Sequence, residues 1–379
     1  MQSKNQEAFF ALVRAGLWGD VKVNGYRLEV KESAIDWGEI MRLAEEQAVV
    51  GLVAAGIDSF KFQVPGFKIP QEWALQFIGQ TLQIEQRNKA MNEFVAKLIA
   101  LLRKNDIYAI LVKGQGIAQC YERPLWRSSG DVDLLLSEEN YLKAKQYLVP
   151  IATTVEEEDT YTRHLGMTIN GWEVELHGNL RSGISSRIDK GLDEIASDVF
   201  YGGNARSWMN GNTQVFLMGI NNDVVYVFTH ILQHFFKGGI GLRQICDWCR
   251  LLFCYREKLD LRLLESRIRQ MGLLSEWKVF YNLASRYLGM PDLDSSFMIH
   301  DSRYDKKADR VMSIIFETGN FGHNRDESYR QKYSGFKKRT ISAWRYTKEG
   351  LQHFMIFPMD SLRVWHRQMR TGLRVAVRS

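Results

Sequence analysis

The chain has 379 residues, 45% of them hydrophobic and 25% charged, with a net charge of +6. That balance excludes a disordered or fibrous chain, and the length calls for two or three domains rather than one small core. No stretch approaches the ~18–20 apolar residues of a membrane span, and Met1-Gln2-Ser3-Lys4 opens without the basic and apolar regions of a signal peptide, so a cytoplasmic protein is expected.

Residues 1–105 read as helical. Trp37, Ile40, Met41 and Leu43, then Val49, Leu52 and Val53, keep a helical rhythm, and 71–105 carries a longer one that Pro70 suits as a start. The period then changes. Residues 108–112 are an apolar run of strand length, stopped by Lys113-Gly114-Gln115-Gly116. A helix over 117–122, a strand over 131–136 and a helix over 138–148 follow. Two more strands, 161–169 and 172–177, are joined by Asn170-Gly171, a strong hairpin signal. From 221 the chain returns to helix, with segments expected at 224–236, 242–255, 261–271, 276–288 and 305–316.

The expected fold class is α+β. A small mixed-sheet α/β core spans 106–220, preceded by an N-terminal helical region (1–105) and followed by a helical domain over the active site (221–320). The tail, 321–379, is basic and aromatic-rich, with 13 Lys and Arg against 4 Asp and Glu. It carries no recognisable nucleic-acid module, so Trp344, Phe354, Phe357 and Trp365 are expected to pack on the body while the basic groups stay wet. The four cysteines lack a second Cys or His pair at zinc-finger spacing, and Cys120, Cys246, Cys249 and Cys254 are expected as buried free thiols.

The chemistry concentrates in the middle. Residues two apart on a strand point the same way, so Asp131 and Asp133 project together, while the flanking Val132, Leu134, Leu135 and Leu136 mark the strand as buried on its other face. Such a pair repels itself unless a cation neutralises it, and oxygen ligands suit Mg2+. In Trp172-Glu173-Val174-Glu175-Leu176-His177, alternation puts Glu173, Glu175 and His177 on one face, and an adjacent strand would bring Glu175 beside the aspartates. Three carboxylates around one or two Mg2+ ions suit phosphoryl or nucleotidyl transfer. Lys113 and Gly114 end a strand and open a helix, a ready anion site, although P-loop spacing is absent.

Leu111-Val112-Lys113-Gly114, Tyr121, Arg127-Ser128-Ser129-Gly130-Asp131-Val132-Asp133-Leu134-Leu135 and Glu173-Val174-Glu175-Leu176-His177 together resemble the uncharacterised bacterial nucleotidyltransferase family of the polymerase-beta-like superfamily. The match is sharp over 111–177 and looser into the helices. The resemblance implies that Asp131 and Asp133 are paired metal ligands with Glu175 as the third. It also implies that Lys113, Gly114 and Gln115, with Arg127, Ser129 and Gly130, hold a nucleoside triphosphate, ATP by default. Superfamily members follow the Gly with a Ser that touches phosphate. Here Gln115 takes that place, which leaves Lys113 or Arg127 as the phosphate grip. Arg127 suits phosphate through bidentate donors and equally suits a neighbouring acid.

Further on, His230 and His234 stand four apart on one helix face. The Glu of the zinc-protease motif is replaced by Ile231, so a structural or substrate-facing pair is expected rather than zinc. Arg243 and Asp247 are spaced for an intrahelical ion pair. Related nucleotidyltransferases place a helical domain over the site, where an acid activates the acceptor hydroxyl. By that analogy Asp247 is the candidate base, His230 and His234 are its rivals, and His177 and Arg243 are further substrate contacts. The expected function is transfer of a nucleoside monophosphate to an unknown hydroxyl- or phosphate-bearing acceptor, small molecule or protein, with pyrophosphate leaving. The alternative, favoured by Gln115, is a catalytically silent nucleotide-binding or regulatory protein on the same fold.

Overall fold

The computed structural model describes residues 4–19, 35–63, 66–293, 297–324, 328 and 332–378. The N-terminal region is helical as expected: α1 (Lys4–Trp18), α2 (Trp37–Glu46), α3 (Val50–Gln63) and the long α4 (Gln71–Lys104). Asp36 caps α2 by accepting the Glu39 N–H. Helices α1 and α3 touch backbone to backbone, because a Cβ on Gly56 would stand 2.0 Å from the Leu12 carbonyl oxygen.

The centre is one seven-stranded sheet: β1 (Ala109–Val112), β2 (Val132–Leu136), β3 (Thr154–Val155), β4 (His164–Ile169), β5 (Trp172–His177), β6 (Ala205–Asn210) and β7 (Thr213–Met218). Its order is β3-β4-β5-β2-β1-β7-β6, with β2 parallel to β5 and β1 parallel to β7. Short α5 (Gly114–Ala118), then α6 (Glu138–Leu148) and α7 (Ser186–Phe200) sit between strands. One sheet face, bearing Leu111, Val132, Leu134, Val174 and Leu176, closes a core against α6 and the second half of α4. The other face looks toward α8 (Ile220–Lys237) and α9 (Leu242–Cys254), beyond which lie α10 (Leu261–Met271), α11 (Leu274–Leu288) and α12 (Asp305–Thr318).

Several expectations shift. The helix expected at 117–122 forms at 114–118 instead, directly after Lys113. The strand expected from 161 begins at His164, because a turn occupies the preceding residues and Arg163 there has φ +45°. Helix α7 and the β6–β7 hairpin were not expected. Cys120, Cys246 and Cys249 are buried, but Cys254 is exposed at the end of α9, where the helix runs out. The tail forms α13 (Gly335–Phe354) and α14 (Pro358–Arg378). Phe357 is buried, and the Trp365 indole donates to Thr347 Oγ1 at 3.3 Å. Trp344 and Phe354 are 70% and 45% exposed, contrary to expectation, since α13 packs along α14 and leaves its other side in water. Among the described residues no helix is long and apolar enough to cross a membrane.

The α14 contact buries Glu276 of α11 with Asp360 nearby, and that pushes the Glu276 carboxyl up to about 7. Burial is the larger cause, the Asp360 charge the second. An acid whose pKa rises on folding favours the folded state while protonated. Its contribution is complete below about pH 4.5 and is lost as the pH climbs to about 7. Glu276→Gln is therefore expected to raise the unfolding free energy by roughly 3 kcal/mol at pH 8 and by about 1 kcal/mol at pH 5. Urea titrations at the two pH values check this. An equal effect at both would show that Glu276 does not titrate between them.

Candidate active site

Strand pairing assembles the site. Val112 lies opposite Asp133 in the antiparallel β1–β2 ladder, and Asp133 lies opposite Glu175 in the parallel β2–β5 ladder. Asp131, Asp133, Glu175 and His177 therefore share one sheet face. One carboxylate oxygen each from Asp131, Asp133 and Glu175 falls within 4.8 Å of the other two. Asp133 is buried, while Asp131 and Glu175 are partly open.

Lys113 meets them from the end of β1. Its φ is +58° and that of Gly114 is +41°. Glycine adopts such a backbone freely, but a lysine there is held at a cost of order 1–2 kcal/mol. The turn carries Lys113 Nζ to 2.8 Å from Asp133 Oδ1 and 3.1 Å from His230 Nε2. Burial works against the lysine's charge, yet the surrounding acids, Asp133 foremost, outweigh it and hold the ammonium. Asp133 itself is pushed upward, first by burial and then by the charges of Asp131 and Glu175, with Lys113 pulling the other way. Glu175 behaves oppositely. Burial would raise it, but hydrogen bonds from His164 and His177 and the charge of Lys113 hold it well below the carboxylate range.

Helix α8 forms the facing wall. Tyr226, His230, Gln233, His234 and Lys237 recur at helical spacing and line a cavity of about 540 Å3 above the acids. His230 Nε2 stands 3.0 Å from His234 Nε2. Burial, helped by the charge on Lys113, pushes His234 down to about 4 and His230 well below its ordinary value. Both rings are neutral at pH 7.

Behind Lys113 a recess of about 40 Å3 reaches Arg127 and Asp247. Arg127 is bidentate to Asp247, with Nε–Oδ1 and Nη2–Oδ2 both at 2.7 Å, and Tyr121 Oη donates to Oδ1 at 2.7 Å. Arg127 Nη1 also reaches Ser129 Oγ at 2.9 Å, which in turn donates to Gln115 Oε1 at 2.9 Å. Arg243 donates to the Ser128 carbonyl at 2.8 Å. Gly130 is exposed at the tip of this segment. The structure thus gathers Lys113, Asp131, Glu175, His177, His230 and His234 around the cavity, with Asp133 and Gly114 lining the recess behind. Gln115, Arg127, Ser129, Arg243 and Asp247 form a bonded layer behind it.

His164 was missed. It stands opposite His177 in the β4–β5 ladder, with Nε2 3.0 Å from Glu175 Oε2. The signal was present: Asn170 and Gly171 both have positive φ, as a two-residue hairpin turn requires. Counting outward from that turn pairs residue 164 with 177.

A sheet with an Asp-x-Asp strand, a third acid on its parallel neighbour and a Lys-Gly turn at the strand end has the layout of a nucleotidyltransferase. The profile of a family described as Uncharacterised nucleotidyltransferase matches residues 33–289, and the chain belongs to that family. It is accordingly a transferase of phosphorus-containing groups. No curated protein and no solved structure matches the chain.

Removing one partner of the Arg127–Asp247 pair leaves a buried charge uncompensated. Asp247→Ala is expected to lower the unfolding free energy by about 3–5 kcal/mol, read from denaturant titration. A change below about 1 kcal/mol would show that the pair carries no structural load.

Proposed function

We propose that this chain moves a nucleoside monophosphate from a nucleoside triphosphate, ATP by default, to a hydroxyl- or phosphate-bearing acceptor, with pyrophosphate leaving. One observation carries the reading: Asp131, Asp133 and Glu175 converge within 4.8 Å, beside Lys113 and under a cavity wide enough for a nucleotide. Three hard oxygen donors with a single adjacent ammonium fit Mg2+. When bound, Mg2+ would clamp phosphate oxygens and offset the charge that grows on them during transfer.

The chain's own groups divide the remaining work. Lys113, charged and strained into place, faces the phosphates. Gln115 does not, being 2% exposed and bonded to Ser129. Arg127 does not either, since Asp247 occupies its fork. The phosphate grip therefore rests on Lys113, and α5, only five residues long, adds little dipole. Both oxygens of Asp247 are occupied, so we assign it to positioning Arg127 and the 127–131 segment rather than to taking a proton. His177, with Nε2 2.8 Å from Asp133 Oδ1, orients that carboxylate. His230 and His234, neutral on α8, shape the acceptor side, where Lys237 and Arg181 also line the cavity and suit an anionic acceptor.

The test is pyrophosphate release from each nucleoside triphosphate with Mg2+ and candidate acceptors, beside an Asp131→Ala/Asp133→Ala double variant. Release by the native chain alone, at least ~10³-fold above the variant or some 4 kcal/mol of barrier, is expected. Tight metal-dependent nucleotide binding with no release from any nucleotide would favour the silent binding protein, the reading to which the inward-turned Gln115 points.

A further inference from the structure

We propose that His164, Glu175 and His177 form a second cation site, one for a divalent transition ion that accepts imidazole nitrogen, sharing Glu175 with the all-oxygen site. It rests on the nucleotidyl-transfer reading only for that neighbouring oxygen site; the three ligands stand by themselves.

The argument starts from the β4–β5 ladder. His164 and His177 are directly opposed there, and directly opposed residues present their side chains on the same face about 5 Å apart. Glu175, two residues before His177, shares that face. The donor atoms are already close: His164 Nε2 is 3.0 Å and His177 Nε2 is 3.4 Å from Glu175 Oε2. A tetrahedral ion with bonds of 2.0–2.1 Å spaces its ligands about 3.3 Å apart. Those two spacings already lie within a few tenths of an ångström of that value, and the donor atoms of all three residues fall within 4.8 Å of one another.

The donor chemistry decides which ion. Two imidazoles and one carboxylate suit zinc and the cobalt that substitutes for it, whereas Mg2+ prefers oxygen alone. Three protein ligands leave a position open, as in catalytic rather than structural sites. All three residues line the 540 Å3 cavity, so a phosphate or acceptor oxygen can complete the coordination. Sharing one carboxylate is also how two cations are held about 3.5–4 Å apart for in-line displacement. Asp133 Oδ1, 2.8 Å from His177 Nε2, gives up that contact when the ring ligates an ion, because a coordinated imidazole nitrogen carries no proton, and Lys113 remains its partner.

The site is tested with Co2+, whose visible absorption intensifies on nitrogen ligation in tetrahedral geometry, titrated into the full chain and into His164→Ala, His177→Ala and Asp131→Asn. Expected are intense bands saturating at one equivalent in the native chain. His164→Ala and His177→Ala should weaken Co2+ by at least about tenfold and lose the bands, while Asp131→Asn should keep the affinity within about threefold. His164 is the decisive variant because its side chain is 30% exposed and its loss costs little packing, which a melting curve checks. Bands and affinity unchanged in His164→Ala would overturn the proposal, as would a native chain that shows no bands at millimolar Co2+. A native chain with the Co2+ bands but no binding of Mg2+ or nucleotide would overturn the nucleotidyl-transfer reading and leave this site standing.

Discussion

Holding three carboxylates against one another is the constraint on which the rest of this molecule depends. Asp131, Asp133 and Glu175 repel, and burial of Asp133 sharpens the repulsion because little water screens it. The fold meets that cost with rigid backbone. Asp133 and Glu175 sit on hydrogen-bonded parallel strands whose opposite face is a dry core of Val132, Leu134, Val174 and Leu176, so neither can retreat. Lys113 supplies the compensating charge, and the backbone bends into the left-handed region to bring it there.

A second layer keeps the first in place. Asn88 of α4 donates to the carbonyls of Leu125 and Arg127 at 2.8 and 2.7 Å, tethering the loop that leads to Asp131. The chain of contacts from Gln115 through Ser129 and Arg127 to Asp247 then ties the turn after β1 to α9. Gln115 thus makes a structural contact in the turn that follows Lys113 and Gly114. On the proposed reading the phosphate contact falls to Lys113, and the loop gains a fixed path. The helical half beyond residue 220 belongs to the same machine, because α8 supplies the cavity wall and α9 the anchor for Arg127.

What the sequence made legible follows from period and local chemistry. Alternation alone placed Asp131 with Asp133 and Glu175 with His177, and the Asn170-Gly171 turn set the hairpin. The parallel β2–β5 pairing, which joins the two halves of the acid cluster, links residues 42 apart and has no local signature. The same is true of Arg127 with Asp247, 120 residues away, where local spacing suggested Arg243 as the partner. Residues 178–220 carried readable signals, including the Ser185 cap of α7, Ile188, Leu192, Ile195 and Val199 at helical spacing, and Gly211-Asn212 between β6 and β7. In the tail, composition could not say which aromatic side faced inward. Charge placement misleads there because α13 packs mainly along α14 rather than on the body.

The central claim, that the carboxylates and Lys113 form one cation-and-triphosphate site, is tested most directly by a crystal structure with a non-hydrolysable nucleoside triphosphate and Mn2+. Anomalous scattering locates the ion without assumption. The account predicts a peak bonded to Asp131, Asp133 and Glu175 at about 2.1–2.2 Å, with Lys113 against the phosphates. A nucleotide seated elsewhere, with no ion among the three acids, would contradict it.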